Sequence, residues 1–272
     1  MQSWWADEQD NNREGNIGLN MRNIKLVIEY DGTNYCGWQT QPNGIAIQEV
    51  LEQVIEKVTQ QKVSLNGSGR TDSGVHAIGQ VASFTTNSSI PSEIFSLAIN
   101  AFLPNDISVV RSEEVALDFH ARFSAKGKTY RYYIWNDKRR SGILSNLTCH
   151  IPVALDVDKM HQAAQCFVGQ HDFSAFMAQG SSIKTTVREI YSAKVFQVTN
   201  PFGDEIGKMI CIELTGSGFL YNMVRIIAGT LMEVALCKRS EVQVIEALSK
   251  GERTMAGQTM PPEGLFLYEV IY

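Results

Sequence analysis

Hydrophobic and polar residues alternate over short stretches in two separate parts of the chain. The first such stretch is Arg22–Tyr30, where Ile24, Leu26 and Ile28 share one face and Lys25 lies on the other. A period of two residues with one apolar face predicts a half-buried β-strand. The folded part of the chain is therefore expected to begin with a strand.

Helical spacing follows directly after this strand. In Ile47–Thr59 the apolar residues recur at intervals of three and four, as in an amphipathic helix. The other elements predicted up to residue 110 are strands at Val63–Leu65, Ile78–Phe84 and Ile107–Val110 and a helix from Pro91 to Ala101. This order is typical of an α+β unit whose sheet is covered by helices on one face.

A second series of elements begins at Lys128 and repeats the rough order of the first without repeating its sequence. The predicted fold class is therefore α+β with two similar halves, residues 21–125 and 126–272, preceded by a disordered tail, residues 1–20. The elements predicted in the second half are strands at Lys128–Trp135, Ile190–Val198, Lys208–Thr215 and Leu265–Tyr272 and helices at Asp156–Gly169, Phe219–Cys237 and Glu241–Ser249.

The composition favours a folded protein without a membrane span. The chain has 272 residues, of which 44% are hydrophobic and 19% are charged. Its most apolar window, Phe219–Cys237, contains Asn222, Arg225 and Glu233, so it predicts a buried helix. The N-terminal residues lack the apolar run of a signal peptide.

The cysteines favour a reducing compartment and no metal site. There are five, an odd number, without a Cys-x-x-Cys pair and without the His and Cys spacing of zinc sites. We interpret them as reduced thiols of a cytoplasmic protein, most of them small buried hydrophobic residues. No GxSxG, GxGxxG or Walker sequence is present.

Charge is distributed unevenly along the chain. The formal net charge is −5, which taken alone argues against a nucleic-acid partner. However, seven of the 24 basic residues lie between Arg122 and Arg140, together with a single acid, Asp137. This segment is either a phosphate-binding surface or the solvated face of a strand, and charge alone does not separate the two interpretations.

The densest group of chemically active side chains lies in Ser68–Ala77, before the strand at Ile78. This stretch contains Arg70, Asp72 and His76 together with two glycines. A nearby cation favours an ionised Asp72, which would suit a nucleophile or a general base, although the same residue could simply cap the turn. A catalytic pair of His76 with Asp72 is less favoured, because a histidine four positions later in a strand usually points elsewhere.

Two further groups could act on a nucleic acid. Aromatic and basic residues are interleaved from Asp118 to Tyr133, where rings can stack on bases, at ~1–3 kcal/mol per base, and cations can hold phosphates. Arg225 lies in an otherwise apolar helix start, where an unpaired charge is costly. It therefore needs an anionic partner, and the candidates are Asp72 and a phosphate.

Together these residues resemble the tRNA pseudouridine synthase A family over residues 22–272. The most specific match is Gly69–Ala77, which reads GRTDSGVHA. The other matches are Tyr30–Thr33, Gly37–Gln39, Gln41–Asn43, Phe119–Phe123, Tyr130–Tyr132, His171–Phe176, Gly218–Arg225, Ala256–Gly257 and Gly264–Leu265. Departures from the family pattern occur at Ser73, Gln258 and Met260, and none is expected to affect a site residue.

The resemblance implies a pseudouridine synthase fold of ferredoxin- or RRM-like halves with a mainly antiparallel sheet and a cleft between the halves. It also implies an isomerase that converts uridine to pseudouridine at positions 38, 39 and 40 of the tRNA anticodon stem-loop. Such an enzyme works as a homodimer and uses neither a cofactor nor a metal. Asp72 matches the catalytic aspartate, Tyr130 the tyrosine that packs on the target base, and Arg225 the arginine that pairs with the aspartate.

The resemblance also assigns residues that bind the substrate. Arg70, Tyr130 and Leu220 are expected to bind the target nucleotide. The residues expected to contact RNA are Phe119, His120, Ala121, Arg122, Phe123, Lys126, Lys128, Arg131, Gly180, Ser181, Ser182, Ile183 and Lys184. Two other functions compete with this one, a non-catalytic RNA-binding protein of the same fold and a glycosidase-like hydrolase, although no second carboxylate is placed to act as the acid of a hydrolase.

Overall fold

A computed structural model of the protein describes residues 21–42, 44–178, 185–200, 203 and 207–272. The strands are β1 (Arg22–Tyr30), β2 (Asn66–Gly67), β3 (His76–Thr86), β4 (Ile107–Val115), β5 (Gly127–Asn136), β6 (Cys149–His150), β7 (Gly169–Asp172), β8 (Val187–Val198), β9 (Lys208–Gly216) and β10 (Leu265–Ile271). The helices are α1 (Ile47–Thr59), α2 (Phe95–Asn100), α3 (Val157–Ala164), α4 (Met223–Ala235) and α5 (Glu241–Lys250). The predicted tail and the predicted RNA-contacting loop Gly180–Lys184 lie outside the described residues.

These ten strands form one sheet in the order β4–β1–β3–β10–β5–β9–β8–β7, with β2 paired to β3 and β6 to β5. The order β4–β1–β3–β2 in the first half is matched by β10–β5–β9–β8 in the second. Within each of these two sets all neighbouring strands are antiparallel. Both halves therefore have the ferredoxin-like topology of strand, helix, two strands, helix and strand, and the predicted fold class is confirmed.

The two halves are joined in the middle of the sheet. There β10 pairs in parallel with β3, with Phe266 opposite His76 and Leu267 opposite Ala77. The two-residue strand β2 reaches only the far end of β3 and leaves the rest of that edge to β10. Because the sheet is continuous, the division into separate units at residue 125 stays a prediction.

Helices α1 to α4 pack on the face of the sheet that carries Tyr30 and Tyr130. In β1 alternate residues from Ile24 to Tyr30 are buried against this layer, as their spacing predicts. All residues of α4 are buried except Arg225 and Glu233, so the prediction of a buried helix is confirmed. Across the described ranges, no helix combines the length and apolar character that crossing a lipid bilayer demands.

Several predicted elements are wrong in position or extent. The helix predicted from Pro91 begins at Phe95, after a 3-10 turn at Ser92–Ile94, and the helix predicted to run to Gly169 ends at Ala164. Val63–Leu65 is not a strand, because the backbone N–H of Leu65 donates to Glu52 Oε1 of α1 at 2.9 Å and not to a neighbouring strand. The helix predicted from Phe219 begins at Met223, because Asn222 has a left-handed conformation with φ of 60°. At Val63–Leu65 a side chain of the preceding helix satisfies the backbone, and at Asn222 the left-handed residue marks the boundary of the helical hydrogen bonding.

Candidate active site

The polar turn between β2 and β3 is held by side chains of β1 and β3. Ser68 is fully buried, and its Oγ donates to Gln80 Oε1 at 2.7 Å. Gln80 Nε2 in turn donates to the Gly69 carbonyl at 3.0 Å. The hydroxyl groups of Tyr30 and Thr71 share a hydrogen bond of 2.7 Å. Since Thr71 directly precedes the predicted catalytic aspartate, these contacts fix the backbone that carries the carboxylate.

The loop after β1 packs against the same turn. Trp38 donates its backbone N–H to the Thr71 carbonyl at 3.1 Å. Gly37 has φ of +110°, and a Cβ at this position would lie 2.6 Å from the Thr71 carbonyl oxygen. Only glycine fits such a conformation and such a close approach. The aromatic loop therefore supports the turn, and its length beyond a simple connection has a structural use.

Arg225 of α4 supplies the cation beside Asp72. Its Nη1 lies 3.7 Å from Asp72 Oδ2, and the two side chains are 15% and 29% exposed, respectively. Nη1 also donates to Asn222 Oδ1 at 2.7 Å, and Nε donates to the Met260 carbonyl at 2.6 Å. The guanidinium is thus held in place from two other sides. Of the two anionic partners that the sequence left open, the structure pairs Arg225 with Asp72.

Met260 lies where the sequence departs from the family pattern. Departures in this segment were predicted not to affect a site residue. Besides accepting from Arg225 Nε, Met260 donates its backbone N–H to the Arg225 carbonyl at 3.2 Å. Both contacts use backbone atoms, so the segment after residue 257 orients the arginine whatever side chain it carries at position 260.

Two opposed effects set the ionisation of Asp72. Burial raises the pKa of this carboxyl group and the Arg225 guanidinium lowers it, and the net result is a pKa above the ordinary value. The sequence predicted that the neighbouring Arg70 would favour ionisation, but Arg225 supplies that cation. The Arg70 side chain is exposed and, within the described part of the chain, has no ion pair or hydrogen bond. It is therefore free to meet an anionic substrate beside the turn.

Tyr130 of β5 lies on the same side of the sheet as this ion pair. Its side chain is buried, and its ring meets the Phe219 ring edge-on with centroids 5.0 Å apart. Burial raises the pKa of the Tyr130 phenol, and Tyr30 and Asp72 raise it further. Among the described residues no hydrogen bond involves its hydroxyl group. Tyr130 therefore presents a protonated, unpaired hydroxyl next to Asp72.

Phe219 and Leu220 lie shortly before α4, and the Phe219 ring packs against Tyr130. Leu220, predicted to bind the nucleotide, is almost fully buried, and its carbonyl accepts the N–H of Met223 at the start of α4. The sequence analysis did not single out Phe219 as a site residue. Phe219 could have been predicted from its position, because it is an aromatic residue directly after Gly216–Gly218 and shortly before the helix that carries Arg225.

His76 faces away from Asp72. In the sheet His76 lies opposite Phe266. The next residues along, Ala77 and Leu267, lie in one row with Tyr130, so His76 and Tyr130 point to opposite faces. Its Nδ1 accepts the Gly32 N–H at 3.0 Å and lies 3.1 Å from an oxygen of Asp31, and its ring stacks on Phe266. Burial lowers the pKa of this imidazole, so the neutral form is favoured. His76 is a structural residue of the opposite face, as the analysis of its spacing favoured.

The Phe119–Phe123 segment is anchored at the end of the sheet that includes the start of β1. Asn23 Nδ2 donates to the Phe119 carbonyl at 2.8 Å, and the Tyr272 hydroxyl donates to the Ala121 carbonyl at 2.6 Å. Ala121 is completely buried, whereas Arg122 and Phe123 are exposed, Phe123 to 76%. The segment thus presents one cation and one aromatic ring to solvent, the combination that suits RNA, while its middle residue serves for packing.

The remaining predicted RNA contacts on β5 and before it point in different directions. Lys126 is exposed. Lys128 is partly buried, and its Nζ donates to the Ser68 carbonyl at 2.7 Å. Arg131 lies on the face opposite Tyr130, where it stacks on Tyr268 and pairs with Glu213 at 2.8 Å. Arg131 thus already has an anionic partner on the face away from Asp72.

The sequence of most of the chain matches one family of known proteins. The sequence model of a family described as tRNA pseudouridine synthase matches residues 26–124 and 163–272. The chain belongs to the tRNA pseudouridine synthase family. The turn with Asp72 and the start of α4 with Arg225 fall within the matched residues, whereas β5 with Tyr130 lies between the two matched segments.

Relatives within this family are similar over almost the whole chain. A tRNA pseudouridine synthase A of Acetivibrio thermocellus is 50% identical over 252 residues, 93% of this chain and all of the relative. The enzyme of the same name from Ruminiclostridium cellulolyticum is 49% identical over the same lengths. Among solved structures, a Cbf5–Nop10–Gar1 complex contains a chain that is 14% identical, with a TM-score of 0.35, covering 90% of this chain and 48% of that one.

Proposed function

We propose that this protein isomerises uridine to pseudouridine at positions 38, 39 and 40 in the anticodon stem-loop of tRNAs, with Asp72 acting on a flipped-out uridine. The observation that carries the proposal is the Asp72–Arg225 ion pair beside the buried Tyr130. These groups come from three segments that lie far apart in the sequence. The chain that brings them together belongs to the pseudouridine synthase family.

The reaction suits a site made of protein groups alone. The N1–C1′ bond breaks and a C5–C1′ bond forms, while C5 loses a proton and N1 gains one. Atoms and electrons balance within the nucleotide, so neither an oxidant nor a water molecule enters the product. The uracil must turn between the two bonds, and this is impossible inside a base stack. The target nucleotide therefore has to leave the stack before it meets the carboxylate.

Each residue has a role that follows from its surroundings. Asp72 attacks C1′, attacks the uracil ring or removes a sugar proton to form a glycal, and each route starts from the carboxylate form. Arg225 favours this form by lowering the pKa of Asp72 against the effect of burial. Tyr130 packs on the uracil, and its free hydroxyl is placed to take part in the proton transfer from C5. Arg70 binds the phosphate backbone beside the turn.

The assembly and the location of the protein belong to the same proposal. The family resemblance supports a homodimer, which light scattering combined with size-exclusion chromatography would test. The tRNA substrate and the five free cysteines support a cytoplasmic protein. Cell fractionation would contradict this location if the protein were found outside the cytoplasmic fraction.

Tritium release from tRNA labelled at uridine C5 tests the function directly. The wild-type protein is expected to release tritium, and Asp72→Asn is expected to release none while it keeps its affinity for tRNA. Release by Asp72→Asn at the wild-type rate would exclude Asp72 as the reactive group. No release by the wild type, with tRNA binding intact, would instead indicate the non-catalytic RNA-binding alternative.

The site of modification requires a second measurement. Anticodon stem-loops with a single uridine at position 38, 39 or 40 are each expected to be converted, whereas a stem-loop with its only uridine at another loop position is not. Pseudouridine is identified by nucleoside analysis of the product. Appearance of free uracil would point to the hydrolase alternative, because hydrolysis releases the base and isomerisation does not.

A further inference from the structure

Lys128 makes a contact that its sequence position did not reveal. It lies two residues before Tyr130 in β5, and by the period of a strand both side chains lie on the same face. Its Nζ donates a hydrogen bond of 2.7 Å to the carbonyl of Ser68, at the start of the turn that carries Asp72. Strand and turn, which come from different halves of the sheet, are thus linked by one ammonium group.

The Lys128 ammonium group occupies space that a side chain at residue 69 would take. A Cβ at Gly69 would lie 2.5 Å from Lys128 Nζ, closer than any normal contact. The Gly69 carbonyl in turn accepts from Gln80, which is completely buried. The turn therefore has a fixed backbone and an open position into which the lysine fits.

The charge at this position is not neutralised by the protein. Burial lowers the pKa of Lys128 to about 8, and the second cause is another cation, Arg122. Within the described ranges neither side chain has an ion pair with a carboxylate, and Lys128 uses one of its three donors. Arg122 is exposed, and its guanidinium lies near the ring of Phe123. The backbone N–H of Ala121, the residue before Arg122, donates to Ser83 Oγ at 3.3 Å, and Ser83 pairs with Asn66, two residues before Ser68. Arg122 and Lys128 thus both lie near the start of the turn, where two cations without an anion among the described residues form a site that an anion would stabilise.

We propose that Lys128 is a positioning residue, which holds the Asp72 turn through the Ser68 carbonyl and, together with Arg122, binds one backbone phosphate of the flipped-out nucleotide. Binding of the RNA backbone is thereby coupled to the placement of Asp72 relative to Tyr130. This inference rests on the proposed function, because the anion is a phosphate of the RNA substrate. It separates Lys128 from exposed cations such as Lys126, which would attract RNA without contacting the turn.

Neutral phosphate analogues provide the test. Anticodon stem-loop RNAs carry a single methylphosphonate at one position after another around the target uridine, with a 2′-O-methyl sugar at that nucleotide. The same 2′-O-methyl RNA with a normal phosphate is the reference. Single-turnover conversion at saturating RNA is measured for the wild type, for Lys128→Met and for Lys250→Met, a control at an exposed lysine at the end of α5.

At one position the methylphosphonate is expected to slow the wild type and the Lys250→Met variant by about tenfold or more. It should slow Lys128→Met by less than about twofold, because the cation that pairs with this phosphate is already missing. In addition, Lys128→Met should lower the saturated rate on unmodified RNA and not only the affinity. Equal methylphosphonate effects in the wild type and in Lys128→Met at every position would overturn the proposal.

Two further outcomes are distinguished by the same experiment. If Lys128→Met does not fold, as judged by thermal melting, the exposed Arg122→Met takes its place and must show the same loss of the methylphosphonate effect. If the wild type converts no RNA at all, the proposed function fails and this inference fails with it. If the wild type is active and neither variant shows coupling, only the role of Lys128 is refuted.

Discussion

The two halves of the sheet have the same strand order but differ in their second strand. In the first half this strand, β2, has two residues, whereas its counterpart β8 in the second half has twelve. The short β2 leaves the edge of β3 free for β10, and the residues that follow β2 form the polar turn with Asp72. The long β8 instead extends the sheet to β7.

This difference explains why each half supplies a different kind of site residue. The first half interrupts its regular structure and stabilises the irregular turn with buried hydrogen bonds from Gln80 and Tyr30. The second half keeps its regular elements, and a strand and a helix place Tyr130 and Arg225 against that turn. Among the described residues the counter-ion of Asp72 comes only from across the junction of the halves, so neither half alone supplies the ion pair.

The largest effect on activity is expected when the ion pair between Asp72 and Arg225, which joins the two halves of the sheet, is removed. Arg225→Met should lower single-turnover conversion about 100-fold or more, because the cation that favours ionised Asp72 is lost. The pKa of Asp72 should then rise further, so that activity is lost at a higher pH on acidification than in the wild type. A pH–rate profile of both proteins measures the two effects.

The chain offers a matched control for Arg225. Arg239 is also 15% exposed, and its guanidinium pairs with Glu233 at 2.9 Å, away from the turn. Arg239→Met is expected to lower thermal stability and to leave the acid limb of the pH–rate profile in place. Equal shifts of that limb in both variants would contradict the role given to Arg225.

Two tyrosines of β5 test the contribution of the second half more finely. Tyr130→Phe should lower conversion at saturating tRNA about 10- to 100-fold, because its free hydroxyl is lost. Tyr132→Phe removes a hydroxyl that donates to the Pro261 carbonyl at 2.8 Å. It should cost about 1 kcal/mol of stability and leave the rate unchanged. If Tyr132→Phe lowered the rate and Tyr130→Phe lowered only the stability, the uracil would have to lie next to Tyr132 and not next to Tyr130.

A smaller effect is expected on tRNA affinity, and it separates the exposed cations before β5 from Arg131 within the strand. Arg122→Ala and Lys126→Ala should each weaken binding and reduce the slope of log affinity against log salt by about one. Arg131→Ala should leave the slope unchanged, since this guanidinium is paired with Glu213 on the opposite face. Binding titrations at several salt concentrations distinguish these outcomes, and a reduced slope for Arg131→Ala would contradict the assignment.

The smallest effect concerns the cost of holding Asp72 in the first half. Its pKa is raised in the folded state, so its charge destabilises the fold above that pKa, and the cost disappears as the pH falls below the unfolded value. Asp72→Asn should therefore melt at a slightly higher temperature than the wild type near neutral pH and at the same temperature in acid. A variant that melts lower at neutral pH would show that the ion pair outweighs burial.

Local patterns were sufficient for most regular elements. The alternation in β1 and β5, the stripe of α1 and the apolar run of α4 each predicted an element that the structure contains. The motif around Asp72 and the matching Tyr130 and Arg225 were also visible in the sequence. The period of two in β5 also places Lys128 on the same face as Tyr130 and Arg131 on the other face.

The remaining features depend on contacts between distant segments. The failure at Val63–Leu65 arose because a side chain of α1 satisfies the backbone there. The support of Arg225 by the Met260 carbonyl uses backbone atoms, which leave no mark on the residue types. The net rise in the pKa of Asp72 depends on burial, and burial is a property of the folded chain.

The sequence by itself determined the fold class and the family and predicted the three central residues, because local periodicity and a specific motif depend only on neighbouring residues. The tertiary structure showed the expected pairing of Arg225 with Asp72 and the orientation of His76, and it alone decided that Lys128 binds the Ser68 carbonyl. The physical reason is the position of β10 between β3 and β5. Its register sets which residues of the two halves face each other, and no local pattern contains that information.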